Sequence, residues 1–399
     1  MSMASFREGA RCALEHIRFL SVTIGGRGSC TPAERKAAQY AVDQMDEMGV
    51  QNARLESYKG APSTYRPYAL AFGVAFFGGL VAWLGDGREW LALAALLNGL
   101  GALGMMAETD FNPNWTRRFL PRSTSHNAVG VIPASIHTRR RAVLCAHVDS
   151  HRTPLFYSTP SWRKLFGLLV STAFLSMAAG GAFYAIGALL GTTWVRLLGL
   201  VVMLIQAVVL GMCIHADFTP FSPGANDNAS GVGVVLELGR RLVHDPLAFT
   251  DVWLAFTGCE ETGAYGMAAF LDTHGEQLGR DAVYIVLDEA GLGQLQYLTV
   301  DGLVVKRPTH PQALDLARRA SAALPGLGAT SRPGIAYTDA ALATKRKLIA
   351  LTLGCLPGNK AGETSHWHQM SDTVEHVDPR ALEDSLKFTW QVLKEVDKL

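Results

Sequence analysis

A doubly wound, mostly parallel α/β sheet flanked by helices, with two inserted transmembrane helical hairpins, is the architecture this sequence predicts. Three observations lead there. Short apolar runs alternate with amphipathic stretches over most of the chain. Two pairs of long apolar runs break that alternation. Acidic residues and histidines gather directly after several of the short runs, at the edge where a parallel sheet places its reactive groups.

The first well-marked helix is "TPAERKAAQYAVDQMDEMG". Thr31 can cap it, Pro32 suits its first position, Glu34 completes a capping box and Gly49 ends it. Strands are expected at residues 53–58, 128–133, 142–146, 252–256, 283–287, 295–300 and 348–353. Helices are expected at 230–242, 263–273, 311–323 and 379–398, the last capped by Asp378. No internal repeat or low-complexity tract interrupts this order.

The long apolar runs cover residues 68–84 and 90–106, parted by "GDGRE", and 165–190 and 197–214, parted by "GTTWVR". Each is near the ~17 to 25 residues that span hydrocarbon. Buried core helices of a soluble protein are usually shorter and amphipathic, so two transmembrane hairpins are expected, at 66–108 and 163–215. The second has the stronger signal, because its first run carries no charge. Residues 1–60, 121–152 and 218–399 then form the catalytic domain of a multi-pass membrane protein. Arg54, Lys59, Arg66, Arg117, Arg118, Arg122, Arg163 and Lys164 lie on the side of the large polar segments, against Arg88 and Arg196 at the hairpin tips. That bias predicts a cytoplasmic catalytic domain.

A net charge of +1 and the lack of any basic block interleaved with aromatics exclude nucleic acid as the expected partner; the lipid bilayer takes that place. Six scattered cysteines form no C-x-x-C pair and read as ordinary thiols of a reducing compartment. The opening "MSMASFREGARCALEHIRFL" carries charges throughout, so no cleaved signal peptide is expected.

His147 and Asp149 follow the strand "AVLCA", Glu260 and Glu261 follow "DVWLAFTGC", and Asp288 closes "AVYIVL". Imidazole and carboxylate together suit a borderline hard divalent metal, zinc foremost. Taken singly, each has a plainer reading: a hydrogen-bonded histidine, or the acidic first turn of a helix. Asp227, in the turn "SPGANDNASG", could simply cap the following helix. Neighbouring Glu260 and Glu261 point in different directions, so one can bind metal while the other holds a proton. In "TSHWHQMSDT", His366 and His368 are both candidate ligands.

The order of these motifs resembles the M28 family of zinc-dependent metallopeptidases, mostly aminopeptidases. The residues that carry the likeness are "AHVDS", "GANDNASG", "CEETG", "LDEAG" and "HQMSDT", joined by "GGRGSCTPAERKAAQY", "HNAVGVIP" and "YTDAALATKRKLIALTL". The resemblance implies a hydrolase that removes amino-terminal residues from peptides or acts on amino-acid amides, with two zinc ions; manganese or cobalt would suit the same donors. His147 and Asp288 would hold one ion, Glu261 and His368 the other, with Asp227 bridging. Asp149 would orient His147 and fix its tautomer. Glu260 would take a proton from the attacking water and deliver it to the leaving amine. The spacing of His368 to Asp372 matches the family's ligand, leaving His366 and Trp367 to line the pocket or pack the loop. Asp339, in "YTDA", matches a position near the site, and Tyr337 could donate to the tetrahedral intermediate.

The chain departs from the family in its insertions. The second hairpin separates Asp149 from Asp227 where soluble members have a short loop, and the first precedes "HNAVGVIP". Loops at the carboxyl edge surround the ligand cleft, so the second hairpin is expected to hold the site near the bilayer. The hairpins could admit apolar peptides or acylated amino acids from the membrane interface, or could only anchor the enzyme or join it into a homo-oligomer. Three other functions fit the scaffold: an amidase on acylated amino acids or lipopeptides, a one-zinc glutaminyl cyclase, and an inactive membrane scaffold. The complete ligand set and Glu260 favour hydrolysis.

Overall fold

The computed structural model describes residues 3–357 and 365–399. The chain divides into two compact units. One comprises Met1–Pro62, Arg122–His151 and Phe221–Leu399, the other Ser63–Pro121 and Arg152–Pro220.

The first unit is built on a nine-stranded mixed sheet. Its strands are β1 (Gln51–Gly60), β2 (Ser123–Ile132), β3 (Arg140–His147), β4 (Thr250–Thr257), β5 (Val283–Leu287), β6 (Gln294–Asp301), β7 (Arg307–Pro308), β8 (Thr330–Pro333) and β9 (Ile349–Leu356). They lie in the order β1-β2-β4-β3-β5-β9-β6-β7, with β8 beside β6. The four central strands β4, β3, β5 and β9 are mutually parallel, and antiparallel strands extend both edges. β5 and residues 142–146 of β3 are buried along their whole length, which is why they read as unbroken apolar runs without alternation. From β3 the chain goes to β4 on one side and then to β5 on the other, so β3 marks the point where strand order reverses and where a ligand crevice opens.

The expected helices form as Pro32–Met48, Gly231–His244, Tyr265–Leu278, Pro311–Ala323 and Pro379–Asp397. Asp378 caps the last, accepting the Arg380 N–H. Thr31 caps Pro32–Met48, but the capping box is not closed as expected. The Glu34 carboxylate instead accepts from the Cys30 N–H, the Ser125 hydroxyl and the Cys259 N–H at 2.8–2.9 Å, because it is fully buried between the helix and the ends of β2 and β4. Elements that were not anticipated include helices Met3–Arg18, Thr116–Phe119 and Asp339–Lys345 and the short strands β7 and β8. Met3–Arg18 is highly charged, and its core face consists mostly of small residues, with Ala10, Ala13 and Ile17 buried.

The second unit contains four helices long and apolar enough to cross a membrane: Tyr65–Leu84, Arg88–Thr109, Pro160–Leu190 and Val195–Asp217. Only 22–39% of the most apolar window of each is buried, and large side chains such as Phe77, Leu96, Leu103, Leu168, Leu189 and Leu204 face outward. Inside the bundle, small residues allow close approach; a Cβ at Gly180 would lie 2.5 Å from the Asn98 side chain. Asn98 is fully buried there. Its amide donates to the carbonyls of Ala75 and Ala94 and accepts from Gln206 at 2.8 Å, linking three of the four helices.

Candidate metal centre

The carboxyl ends of β3, β4 and β5 lie side by side, and each passes directly into a loop that carries ligand-type side chains. β3 ends on His147, β4 leads into Glu260 and Glu261, and β5 leads into Asp288. Asp227 comes from the loop before helix Gly231–His244, and His368 from the segment before the single turn Val374–His376.

His147 Nε2 lies 3.3 Å from Asp227 Oδ1 and 3.8 Å from Asp288 Oδ1. His368 Nε2 lies 3.2 Å from Asp227 Oδ2 and 3.3 Å from Glu261 Oε2. Charge-assisted hydrogen bonds would be shorter, about 2.7–2.9 Å. Two donors on one tetrahedral zinc, each ~2.0–2.1 Å from it, stand about 3.3–3.4 Å apart. Three of the four distances match that spacing, and Asp227 offers one oxygen to each imidazole. Two donor groups result, His147 with Asp227 and Asp288, and Glu261 with His368 and His151, the atoms of each within 4.8 Å of one another. Among the described residues, Oε1 of Glu261 and Oε1 of Glu260 are buried without a hydrogen-bond partner.

Electrostatics point the same way. Burial lifts the Glu261 carboxyl to about 7, with the Asp227 charge adding to the shift. Glu260 is raised well above the ordinary carboxylate range, first by burial and then by Glu261, Asp339 and Asp288, against the pull of His147. Burial opposes protonation of His368, yet Glu261 and Asp227 hold it up at about 9. Asp227 resists its own burial and stays far below the ordinary range, because both imidazoles favour its charged form. So many carboxylates in a dry site call for a divalent cation.

The loops are held by hydrogen bonds that explain the motif spacing. Asp372 accepts the Asn226 and Asp227 N–H groups at 2.8 and 3.0 Å, so the acid four residues after His368 fixes the loop that carries Asp227. Asn226 Oδ1 accepts the Gly291 N–H, and Asn228 donates to the Leu287 carbonyl, fastening that loop to both sides of Asp288. Gly224 opens the turn at φ +61°, where a Cβ would stand 2.6 Å from the Asp227 carbonyl oxygen. Asp149 is fully buried, and its carboxylate accepts the Glu260 and Glu261 N–H groups at 3.1 and 3.3 Å and the Ser29 hydroxyl at 2.6 Å. His147 Nδ1 faces the Asp149 carbonyl at 3.1 Å and its carboxylate at 3.5 Å, which turns Nε2 toward the donor group.

The three remaining candidates occupy different places. The Tyr337 hydroxyl donates to the Glu260 carbonyl at 3.3 Å. Asp339 is buried and accepts the Thr257 hydroxyl at 2.5 Å and the Cys145 thiol at 3.5 Å; the cap of its helix is Thr338. His366 pairs with the Ser371 hydroxyl at 2.8 Å and stacks on His376, outside both donor groups. Four residues of the site were missed: His151, Arg27, Ser29 and Glu34. Arg27 is 1% exposed and donates to the carbonyls of Leu20, Gly25, Val148, Pro223 and Gly224. Burial lowers its guanidinium to about 10, against Asp372, Asp149 and Asp227. A polar side chain in a glycine-rich loop gives no sequence signal of such burial, whereas His151 continues the alternation of His147 and Asp149 past the strand end.

Comparison with known proteins agrees with this geometry. The model of peptidase family M28 matches residues 204–393. A probable lipoprotein aminopeptidase, LpqL of Mycobacterium tuberculosis, is 28% identical over 200 residues, covering 42% of this chain; the chain spans 38% of that relative's length. The zinc aminopeptidase BSAP of Bacillus subtilis has a similar structure, with TM-score 0.58 and 16% identity over 97% of this chain and 95% of that one. A glutaminyl cyclase of Bacteroides thetaiotaomicron shares the fold at TM-score 0.55 and 14% identity, over 96% of each chain. The chain thus carries the sequence pattern of peptidase family M28 over residues 204–393, on the fold of the zinc aminopeptidases.

Proposed function

We propose that the chain is a membrane-anchored two-zinc aminopeptidase, with the mixed-sheet unit catalytic, the four-helix unit in the bilayer and the catalytic unit on the cytoplasmic side. One observation carries the reading: Asp227 presents one carboxylate oxygen to each of two imidazole–carboxylate groups, while Glu260 belongs to neither. His147 and Asp288 would hold one ion, His368 and Glu261 the other, and Asp227 both. When bound, such ions lower the pKa of water and polarise a carbonyl.

The other roles fall to the chain itself. Glu260 takes a proton from the water that attacks the scissile carbonyl, and returns it to the amine nitrogen as the C–N bond breaks. Its burial raises its proton affinity, which suits a carboxyl that must hold a proton between two steps. Asp149 positions both glutamates through their backbone N–H groups, and the Tyr337 hydroxyl steadies the Glu260 carbonyl. Lys and Arg beside the polar segments, against Arg88 and Arg196 at the tips, support the cytoplasmic orientation.

The test is turnover by the full chain in detergent, on aminoacyl anilides, acylated amino-acid amides and peptides with amino-terminal glutamine, with and without chelator. Aminoacyl substrates are expected to be cleaved fastest, activity to vanish with chelator and return with zinc, and Glu260→Gln to lower kcat about 10²–10⁴-fold. Activity that survives chelator or the Glu260→Gln change refutes the mechanism. Preferred cleavage of acylated substrates would replace the aminopeptidase by an amidase. Cyclisation of glutamine at one equivalent of metal would make the chain a cyclase, and absence of any turnover would leave a scaffold.

A further inference from the structure

We infer that Cys30 and Cys259 form a site of reversible oxidative modification, a thiol pair that a small-molecule disulfide converts to an internal disulfide, slowing the enzyme at Glu260. Their Sγ atoms are 3.3 Å apart, although the residues are 229 positions distant in the chain. Gly60, at the end of β1, makes room for them: a Cβ there would stand 2.6 Å from the Cys259 sulfur and 3.1 Å from the Cys30 sulfur. Both cysteines hold left-handed backbone, with φ +62° and +50°. Glycine and asparagine suit that region better. Backbone preference therefore does not account for a cysteine at either position, whereas the meeting of the two sulfurs does.

Two carboxylates clamp the two chain segments side by side. Glu34 accepts the Cys30 N–H on one oxygen at 2.9 Å and the Cys259 N–H on the other at 2.8 Å. Asp149 joins the neighbouring residues in the same way, accepting the Ser29 hydroxyl at 2.6 Å and the Glu260 N–H at 3.1 Å. Sulfurs held like this meet without a search, so closure between them is an intramolecular step with a high effective concentration. Cys30 is half-buried and Cys259 fully buried, so an outside reagent meets Cys30 first.

The Cys30 sulfur attacks one sulfur of the small disulfide; that sulfur–sulfur bond breaks, and one small thiol departs with the proton that Cys30 gives up. The Cys259 sulfur then attacks the Cys30 sulfur of the mixed disulfide and expels the second small thiol, which takes the Cys259 proton. Two protein thiols are oxidised, and one small disulfide is reduced to two thiols. In a reducing compartment the reverse exchange restores the pair, which suits the cytoplasmic orientation proposed above. Closure draws the sulfurs from 3.3 Å to about 2.05 Å, and Cys259 directly precedes Glu260. A displacement of about 1 Å at a proton-transferring group is enough to slow turnover by tenfold or more. The bond itself is independent of the role given to Glu260, whereas its effect on turnover rests on that reading.

The experiment exposes the reduced, zinc-loaded full chain in detergent to oxidised glutathione, blocks the remaining thiols with an alkylating agent and maps the peptides by mass, with turnover of an aminoacyl anilide measured alongside. Of the six cysteines, Cys30 and Cys259 are expected to escape alkylation and to appear as one cross-linked peptide pair. Turnover should fall at least about tenfold and return with dithiothreitol, while Cys30→Ser and Cys259→Ala keep their turnover in oxidant. Alkylation of both Cys30 and Cys259 after exposure of the wild type would overturn the site. A mapped disulfide with unchanged turnover, or a loss of turnover that persists in both variants, would overturn the brake on Glu260. A mapped disulfide in a protein without turnover when reduced would uphold the site and overturn the aminopeptidase reading, and the brake with it.

Discussion

Arg27→Met is expected to destabilise the mixed-sheet unit by about 3–5 kcal/mol, independently of any metal. The guanidinium makes five hydrogen bonds to carbonyl oxygens. Two of those carbonyls keep a second partner when it is removed: Leu20 still accepts the Gly25 N–H, and Gly224 the Ala229 N–H. The carbonyls of Val148, Gly25 and Pro223 lose their arginine donor, and each orphaned acceptor costs about 1–3 kcal/mol. The bonds to Gly25 and Pro223 are only part-buried, so water can replace them and their share falls at the low end. The neighbouring carboxylates Asp149, Asp227 and Asp372 also lose a positive charge. At roughly 2–3 °C per kcal/mol for a unit of this size, Tm should fall ~6–15 °C. The assay is thermal unfolding of the chelator-treated protein in detergent, with Arg27→Lys as the partial case, since an ammonium has three donors and no planar fork. A Tm for Arg27→Met within about 1 °C of the wild type would refute the view that the amino-terminal loop is the keystone of the site.

Two further outcomes follow from single contacts. The Glu56 carboxyl is pushed up by burial, but the hydrogen bond and charge of His274, with Arg54 adding, hold it below its ordinary value. Stability from this contact is present above the unfolded carboxyl pKa of about 4.3 and is lost as pH falls through the lower folded value; Glu56→Gln should flatten the acid limb of the Tm–pH curve, and an unchanged limb would refute the contribution. In the helical unit, Gln206→Leu removes the donor to Asn98 and should cost about 0.6–2 kcal/mol in detergent-driven unfolding, so an unchanged midpoint would show that the bond does not hold the helices together.

Much of the fold was legible because the central strands are buried on both faces. The runs 142–146 and 283–287 announced themselves as strands, and the acids and histidines after them marked the reactive edge. The candidate metal donors were legible for the same reason, since His147, Glu261 and Asp288 sit within a few residues of a strand end. What stayed hidden depends on tertiary context. Helix Met3–Arg18 separates its polar and apolar faces well, but its buried stripe is mostly small residues under a charged exterior, so it lacks the run of large apolar side chains that marks a core helix. Glu34 reads locally as a cap, yet it is buried and accepts the Cys259 N–H from 225 residues away. Arg27 and His151 gain their roles only when residues 148–151 and 222–224 are brought beside the amino-terminal loop.

The placement of the two insertions explains why a zinc-aminopeptidase fold survives them. β1 ends at Gly60, which is paired with Ser123 at the start of β2, so residues 63–121 stand where an antiparallel pair needs only a turn. Residues 152–220 leave after His151 and return at Phe221, and the two flanks are joined by the Ser222 N–H to the His151 carbonyl and by the Ser150 hydroxyl to the Ser222 carbonyl. In both cases the chain leaves and re-enters at neighbouring backbone positions already bonded to each other within the sheet unit. The entropy of closing a longer loop grows only logarithmically with its length, so a helical hairpin costs little more there than a short loop. The same bonds that close the second insertion also fix the backbone of His151, which ties the point of insertion to the candidate metal centre through the sheet unit's own hydrogen bonds.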